Sequence, residues 1–139
     1  MRVLAIGGSG GMGRHAVSLI QSFSSVLEII VADLNESSAQ SFAAEMNSKV
    51  SAIGMDVNDT EAMRRAMQNV DIVMNTSGPF YRFGVPILQA AINEGCNYLD
   101  ICDDWEPTIK MLDLDQSAKT AGVTAIIGLG ASPGISNML

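Results

Sequence analysis

Short apolar runs alternate with amphipathic helical patterns along the whole chain of 139 residues. Most of the runs are continuous, as in Ile29-Ile30-Val31-Ala32, and show no polar–apolar alternation. Continuous runs of this length are typical of parallel strands buried on both faces. The predicted strands are Arg2–Gly7, Leu27–Asp33, Val50–Met55, Asp71–Asn75, Asn97–Ile101 and Thr124–Gly128. The alternation predicts an α/β fold, a Rossmann-type doubly wound parallel sheet with strand order 3-2-1-4-5-6.

Five helices are predicted between these strands, because apolar residues recur there three and four positions apart. The predicted buried face of the first helix is Met12, Ala16, Leu19, Ile20 and Phe23. Two later helices have faces of the same kind: Ala62, Met63, Ala66, Met67 and Val70, then Ile87, Leu88, Ala91 and Ile92. Asn35, and Asn58 with Glu61 three residues later, predict helix starts, and so do Pro86 and Pro107.

Length and charge limit the function classes that this chain can belong to. A chain of this size is expected to form one domain. Its net charge is −7 and it has no run of Lys or Arg, which disfavours nucleic acid as a partner. Its apolar stretches fall short of the roughly 20 residues that cross a bilayer, and Gly7 and Gly8 end the first run too early for a signal peptide. We therefore expect a cytoplasmic protein without a membrane partner.

The cysteines and the single histidine give no sign of a metal site. Cys96 and Cys102 match no zinc spacing, and two thiols do not form a disulfide framework. We expect both cysteines to be reduced and structural. His15 is expected to be a surface or packing residue.

A glycine-rich turn follows the first predicted strand and opens the first helix. Gly8-Ser9-Gly10-Gly11-Met12-Gly13 fits the G-x-G-x-x-G dinucleotide fingerprint in the strand–turn–helix context that the motif needs. We expect Gly8 to permit the tight turn, Gly10 to let the backbone approach a pyrophosphate, and Gly13 to bring the helix close to the sheet. Free N–H groups at the helix start would then bind the phosphates. The alternative is a flexible turn without a ligand.

Asp33 ends the second predicted strand, 20 residues after Gly13. A carboxylate at this position accepts hydrogen bonds from the adenosine ribose hydroxyls and repels a 2′-phosphate. The following residues, Leu34 and Asn35, provide no arginine to compensate. The sequence therefore favours NAD over NADP, with NADP as the alternative. Asp33 could instead serve only to cap a helix.

Two more predicted strands end in residues suited to a bound dinucleotide. Asp56 and Val57 follow the third strand, where Asp56 could accept a hydrogen bond from the adenine amino group or cap the next helix. The segment after the fourth strand, expected beneath the nicotinamide ribose and the pyrophosphate, consists of Thr76, Ser77, Gly78 and Pro79. Ligands bind at the carboxyl ends of such strands, so these residues are predicted to line the cofactor site.

The sequence identifies no catalytic residue. Asp100, Asp103 and Asp104 follow the fifth predicted strand, close to Trp105. Clustered carboxylates could bind an amine or transfer a proton, or they could form a solvated helix start. Trp105 and Tyr81 are expected to be packing residues or walls of a substrate cleft.

Taken together, these residues resemble the N-terminal domain of the saccharopine dehydrogenase-like oxidoreductases, which include saccharopine reductases, lysine 6-dehydrogenase and carboxynorspermidine dehydrogenase. The resemblance covers essentially the whole chain. It rests on Gly8 to Gly13, Ser77-Gly78-Pro79-Phe80, Val85 to Ile92, Asn97-Tyr98-Leu99-Asp100, and Gly128 to Ile135 with the loop Ala131 to Asn137. The last two stretches are the specific ones.

The resemblance implies hydride transfer between NAD(P) and a carbon that bears an amine, in an amino-acid-like substrate. It also implies a substrate domain, typically dimerising, so the full-length protein is expected to be a homodimer. By the same resemblance Asp100, Asp103 and Pro133 border the substrate cleft. The chain stops inside an apparent new helix, so we expect a fragment: residues 1–130 form the dinucleotide-binding domain, and residues 131–139 begin the connection to an absent substrate domain.

Two other protein classes also fit the glycine turn. Gly7-x-x-x-Gly11-x-Gly13 also fits a short-chain dehydrogenase, but that chemistry needs a Tyr-x-x-x-Lys pair. Tyr81 is followed at that spacing by Val85, and Tyr98 by Cys102, so the pair is missing. A non-catalytic NAD-sensing module of a regulatory or transport protein would have the same Rossmann half. The specific carboxyl-terminal loop favours the enzyme.

Overall fold

The computed structural model describes residues 1–136, without the side chain of Pro133. Six parallel strands form one sheet in the order β3-β2-β1-β4-β5-β6, which confirms the predicted doubly wound α/β architecture. The strands are β1 (Arg2–Ile6), β2 (Glu28–Asp33), β3 (Val50–Gly54), β4 (Ile72–Asn75), β5 (Asn97–Asp100) and β6 (Ala125–Ile126). The helices are α1 (Gly11–Ile20), α2 (Glu36–Ala44), α3 (Thr60–Met67), α4 (Phe80–Asn93), α5 (Trp105–Leu112) and α6 (Asp115–Ala121). A short, distorted helical turn, Ala131–Ile135, follows the sheet.

Apolar residues of the central strand β1 face two separate cores. Val3 and Ala5 pack on one side with Val17 of α1, while Leu4 and Ile6 pack on the other with the helix α4. All four strand residues are at most 3% exposed. Burying a side chain of this size stabilises the fold by about 1.5–3 kcal/mol. Burial on both faces is the reason that the strand is a continuous apolar run.

The buried face of α1 differs from the predicted one. Met12, Leu19 and Phe23 are each close to half exposed or more, whereas Gly13 and Val17 are buried. Ala16 and Ile20 of the predicted face are partly buried against the core. Gly13 packs against the preceding turn at Gly7 and Gly8, so a residue without a side chain forms part of the buried face. The predicted faces of α3 and α4 are confirmed, since Met63, Met67 and the four named α4 residues are buried.

Several predicted helix boundaries also change. Asn35 caps α2 as expected, but the cap of α3 is Asp59, whose carboxylate accepts from the N–H groups of Glu61 and Ala62. Pro86 lies inside α4, not at its start. Two helices, α5 and α6, connect β5 to β6 where one was predicted. Strand β6 is two residues long, because the following N–H groups at Gly128 and Leu129 bond to Asp100 instead.

The described residues contain neither a membrane-spanning helix nor a metal-binding group of side chains. None of the helices within residues 1–136 combines the length and the apolar character needed to cross a membrane. Over the same part of the chain, no three His, Cys, Asp or Glu side chains are grouped as a metal ion would require.

Candidate functional site

A cleft of about 310 Å³ opens where β1, β2, β3 and β4 end. This volume lies at the lower end of the range for small-molecule sites. The cleft walls include many of the residues predicted to bind the cofactor: Gly10, Asp33, Leu34, Asp56, Val57, Thr76, Ser77 and Gly78. The fold therefore brings together residues from four separate segments of the sequence, at the edge of the sheet where the prediction placed them.

The turn after β1 depends on Gly7, one residue before the glycine predicted for that role. Gly7 has a left-handed backbone with φ +71°, and a Cβ atom there would lie 2.8 Å from the backbone nitrogen of Ser77. Gly8 has no positive φ; a Cβ on it would instead come within 2.8 Å of the carbonyl oxygen of Ala5. Close packing, not the turn conformation, is what Gly8 provides.

Gly10 and Gly13 differ in what surrounds them. A Cβ atom on Gly13 would lie 2.3 Å from the carbonyl oxygen of Gly7, so only glycine lets α1 pack this close to the turn. A Cβ atom on Gly10 would meet only that same oxygen, at 3.2 Å, and one on Gly11 would meet nothing. Gly10 therefore presents open backbone to the cleft at the N-terminus of α1, where the first N–H groups lack intrahelical acceptors.

The carboxylate of Asp33 is held by two neighbours. Ser9 Oγ donates to Asp33 Oδ2 at 2.6 Å, and the Asn35 N–H donates to Oδ1 at 3.2 Å. Asp33 is half-buried in the cleft wall, while Leu34 beside it is 76% exposed. The cap of α2 is Asn35, which leaves Asp33 free of the helix-capping role that was its alternative.

Arg14 brings a positive charge to this region, which the sequence reading missed. Its Nε donates to the carbonyl oxygen of Ser9 at 2.8 Å, and its guanidinium lies 4.6 Å from the centre of the Phe42 ring. Leu34 and Asn35, which follow Asp33 along the chain, gave no sign of this charge. The helical geometry of α1 brings Arg14 back beside the turn instead.

Asp56 stands at the exposed rim of the cleft. Both the backbone N–H and the side-chain amide of Asn58 donate to its Oδ1, at 2.8 and 2.7 Å. These hydrogen bonds, the backbone one foremost, hold the pKa of the Asp56 carboxyl below its usual value. Because Asp59 caps α3, the carboxylate of Asp56 has no capping role and is available to a ligand.

The segment after β4 is pinned to the glycine turn. Thr76 Oγ1 donates to the carbonyl oxygens of Ile6 and Gly7, at 3.0 and 3.1 Å. Ser77 and Gly78 line the cleft, whereas Pro79 is exposed and precedes α4 as its cap. Other residues of the cleft wall were not predicted from the sequence to bind a ligand: Ile6, Ala32, Asn58 and Phe83. Phe83 lies on α4, whose apolar pattern gives no signal that one member faces a cleft.

The predicted cluster of acids does not form. Asp100 is fully buried, whereas Asp103 and Asp104 are exposed. Trp105 is 75% exposed and therefore not a packing residue, and Tyr81 and His15 are exposed too. The side chain of Pro133 lies outside the described part of the molecule. The structure thus separates Asp100 from the surface acids with which the sequence grouped it.

Residues 3–126 match the family model described as the saccharopine dehydrogenase NADP binding domain. The chain belongs to this family. The resemblance seen in the sequence is thereby confirmed at the level of the family.

Two fungal relatives and one solved structure show the extent of the likeness. The chain is 31% identical over 92 residues to the saccharopine dehydrogenase [NADP(+), L-glutamate-forming] of Schizosaccharomyces pombe, which covers 66% of this chain and 19% of the relative. It is 28% identical over 131 residues to the enzyme of the same name from Pyricularia oryzae, covering 94% of this chain and 27% of that one. The saccharopine dehydrogenase (L-Glu forming) structure from Saccharomyces cerevisiae has the same fold, with a TM-score of 0.83 at 24% identity, over 97% of this chain and 28% of that chain. The chain therefore spans less than a third of each of these proteins.

Proposed function

We propose that this chain is the dinucleotide-binding part of a nicotinamide-dependent oxidoreductase, one that transfers a hydride at an amine-bearing carbon of an amino-acid-like substrate. The observation that carries the proposal is the open backbone at Gly10, between the N-terminus of α1 and the Asp33 carboxylate. A pyrophosphate can approach such a backbone closely, because no side chain intervenes.

The residues around the cleft fit the parts of a dinucleotide. The N–H groups of Gly11 and Met12 would bind the pyrophosphate, with the positive end of the helix dipole behind them. Asp33 would accept from the adenosine ribose hydroxyls, and Asp56 with Val57 would border the adenine. The segment Thr76 to Pro79 would support the nicotinamide ribose. The bound nicotinamide supplies the hydride chemistry, while these residues bind and orient the dinucleotide.

We infer that the preferred form is NAD, although the family description and the fungal relatives name NADP. The reason is the Asp33 carboxylate, half-buried at the ribose position with Leu34 beside it. A carboxylate there repels a 2′-phosphate. Besides those names, Arg14 also supports NADP, since its guanidinium is held close to Ser9 and could attract that phosphate. NADP is therefore the second candidate.

We propose that the substrate binds outside this chain's cofactor cleft, against a further domain that follows residue 130 and dimerises. Asp103 is exposed after β5, at the same edge of the sheet as the cofactor cleft, and it would border that substrate together with Pro133. Support for the amine-bearing substrate comes from the family, not from a pocket of this chain.

An NMR titration of the 139-residue chain with NADH, and separately with NADPH, tests the proposed site. We expect shifted backbone amides in the glycine turn, at Asp33 and Leu34, and from Thr76 to Gly78. None of the α6 residues lines the cleft, so the amides of α6 serve as the internal control and are expected not to shift. Shifts confined to other surfaces, or the absence of shifts with either dinucleotide, would refute the proposal.

A further inference from the structure

A buried chain of hydrogen bonds runs across the ends of β4 and β5. Its members are Asn75, Tyr98 and Asp100, each at most 1% exposed, and we call these three residues the buried relay. Asn75 Nδ2 donates to the Tyr98 hydroxyl at 3.0 Å, and that hydroxyl donates to Asp100 Oδ2 at 2.8 Å. Asn75 and Asp100 are register partners on the two paired strands.

One end of the buried relay reaches the cofactor cleft. Asn75 Oδ1 accepts from the backbone N–H of Ser77 at 3.0 Å and from the Ser77 hydroxyl at 2.7 Å. Ser77 is part of the cleft wall. The position of this wall is therefore fixed by a side chain that is itself inaccessible to solvent.

The other end holds the segment that leaves the sheet after β6. Asp100 Oδ1 accepts from the N–H groups of Cys102 and Gly128, at 3.0 and 2.8 Å. The backbone oxygen of Asp100 also accepts from the Leu129 N–H at 2.7 Å. Asp100 thus ties residues 128–129 to the sheet with both its side chain and its backbone, just before the turn Ala131–Ile135.

Burying three polar side chains costs free energy of folding unless each of them has hydrogen-bond partners. In the buried relay all three have partners. Asp100 takes part in none of the ion pairs among the described residues, and hydrogen-bond donors alone solvate its carboxylate. Within this part of the chain every buried side-chain nitrogen and oxygen has a partner. Polar groups buried in this way destabilise a fold unless all are satisfied, whereas apolar side chains of the same size would carry no such cost.

The proton of Tyr98 stays on the hydroxyl. Burial, and then the neighbouring carboxylate of Asp100, raise the pKa of Tyr98 far above its ordinary value. At neutral pH the hydroxyl therefore keeps its proton and donates a hydrogen bond to Asp100. Because the next member is the amide of Asn75, the buried relay holds positions and does not carry protons.

We propose that Tyr98 and Asp100 are positioning residues that fix the Ser77 wall of the cofactor cleft relative to the Gly128–Leu129 segment. A ligand that contacts Ser77 would then also change the stability of the Gly128–Leu129 segment. This inference rests on the proposed function for the identity of the ligand. The proposed coupling between Ser77 and the Gly128–Leu129 segment needs no bound ligand.

Amide hydrogen exchange on the ligand-free chain tests the coupling directly. Tyr98→Phe removes one hydroxyl and keeps the ring, and Tyr81→Phe is the matched control at a tyrosine that is 72% exposed. We expect exchange at the Ser77 and Gly128 amides to rise about tenfold in Tyr98→Phe, the equivalent of one hydrogen bond, with Leu4 of β1 unchanged. Unchanged exchange at the Ser77 amide would overturn the proposal, since the Tyr98 hydroxyl would then have no effect on the cleft wall. Equal acceleration at the Leu4 amide would also overturn it, since the substitution would then destabilise the whole fold.

Two additions keep the test decisive. If Tyr98→Phe does not fold, Ser77→Ala removes one of the two hydrogen bonds that join Ser77 to Asn75, while the backbone one remains. The Gly128 amide is then expected to exchange about two- to threefold faster, less than for the loss of a whole hydrogen bond inside the buried relay. No change at Gly128 would overturn the proposal. With NADH, Tyr98→Phe is expected to bind about tenfold more weakly than Tyr81→Phe. If the unsubstituted chain binds neither dinucleotide, the proposed function fails while the exchange result still decides the relay.

Discussion

Ser9 and Asp33, 24 residues apart in the sequence, are joined by a hydrogen bond of 2.6 Å from Ser9 Oγ to Asp33 Oδ2. The contact links the glycine turn to the end of β2 and aims the Asp33 carboxylate along the wall of the cleft. If the proposed function is right, an acceptor held in this way is preorganised for ribose hydroxyls, because little conformational freedom is lost when the ligand binds.

Replacing Asp33 by asparagine removes the negative charge and nearly preserves the shape of the side chain. We expect the dissociation constant for NADH to rise about tenfold, since charge-assisted hydrogen bonds to the ribose are lost. The affinity for NADPH should fall less or should rise, because the repulsion of its 2′-phosphate disappears. Calorimetry with both dinucleotides gives the ratio of the NADH and NADPH dissociation constants. Asp113→Asn, a charge change at an exposed residue directly after α5, is the control. An unchanged ratio in Asp33→Asn would contradict the ribose assignment.

A substitution of Arg14 is expected to weaken the binding of NADPH more than that of NADH, the opposite of Asp33→Asn. Arg14→Gln removes the guanidinium that lies beside Ser9 and Phe42. We expect NADPH to bind about tenfold more weakly, because a cation near the 2′-phosphate is lost, while NADH changes less than twofold. The same calorimetric comparison checks it. Equal losses for both dinucleotides would mean that Arg14 acts through the structure of the turn and not through the phosphate.

Gly13 is expected to be essential for stability. A Cβ at this position would lie 2.3 Å from the Gly7 carbonyl oxygen, which is backbone and moves only with the turn. Gly13→Ala should therefore lower the free energy of unfolding by about 2–3 kcal/mol. Gly11→Ala, in open space at the start of α1, should leave it unchanged or raise it by up to about 1 kcal/mol. Urea unfolding followed by circular dichroism gives both values, and similar values for the two variants would exclude the packing argument.

The cap of α3 allows a direct comparison of two neighbouring residues. Asp59→Ala should cost about 1 kcal/mol of unfolding free energy, because two N–H groups lose their acceptor. Asn58→Ala should cost less than about 0.5 kcal/mol, as for an exposed residue outside the helix. Thermal and urea unfolding of the two variants distinguish them. The reverse order of costs would restore Asn58 as the cap.

Much of the fold could be predicted because its signals are local. Continuous apolar runs identified the strands, and the glycine turn with Asp33 placed the cleft at the carboxyl ends of β1 and β2. The faces of α3 and α4 also followed from spacing alone. The face of α1 did not, because it is decided by Gly13, a residue without a side chain to contribute to any hydrophobic pattern.

The remaining features depend on contacts between distant segments. Asp100 looks like a surface acid beside Asp103 in the sequence, yet donors from Tyr98, Cys102 and Gly128 enclose it. Arg14 reaches the turn through helical geometry. Neither contact leaves a local pattern in the sequence, so Asp100 was grouped with the surface acids and Arg14 was not singled out.

Gly10 tests the central claim most directly, through calorimetric titration of the chain and of Gly10→Ala with NADH and NADPH. The substituted methyl would meet only the Gly7 oxygen at 3.2 Å, so the fold should survive while close approach of a pyrophosphate is blocked. We predict that the unsubstituted chain and the control Tyr81→Phe, changed at an exposed residue outside the cleft wall, bind a dinucleotide with the same affinity, and that Gly10→Ala binds it at least about tenfold more weakly. Equal affinity of all three proteins, or no binding by the unsubstituted chain, would contradict the account.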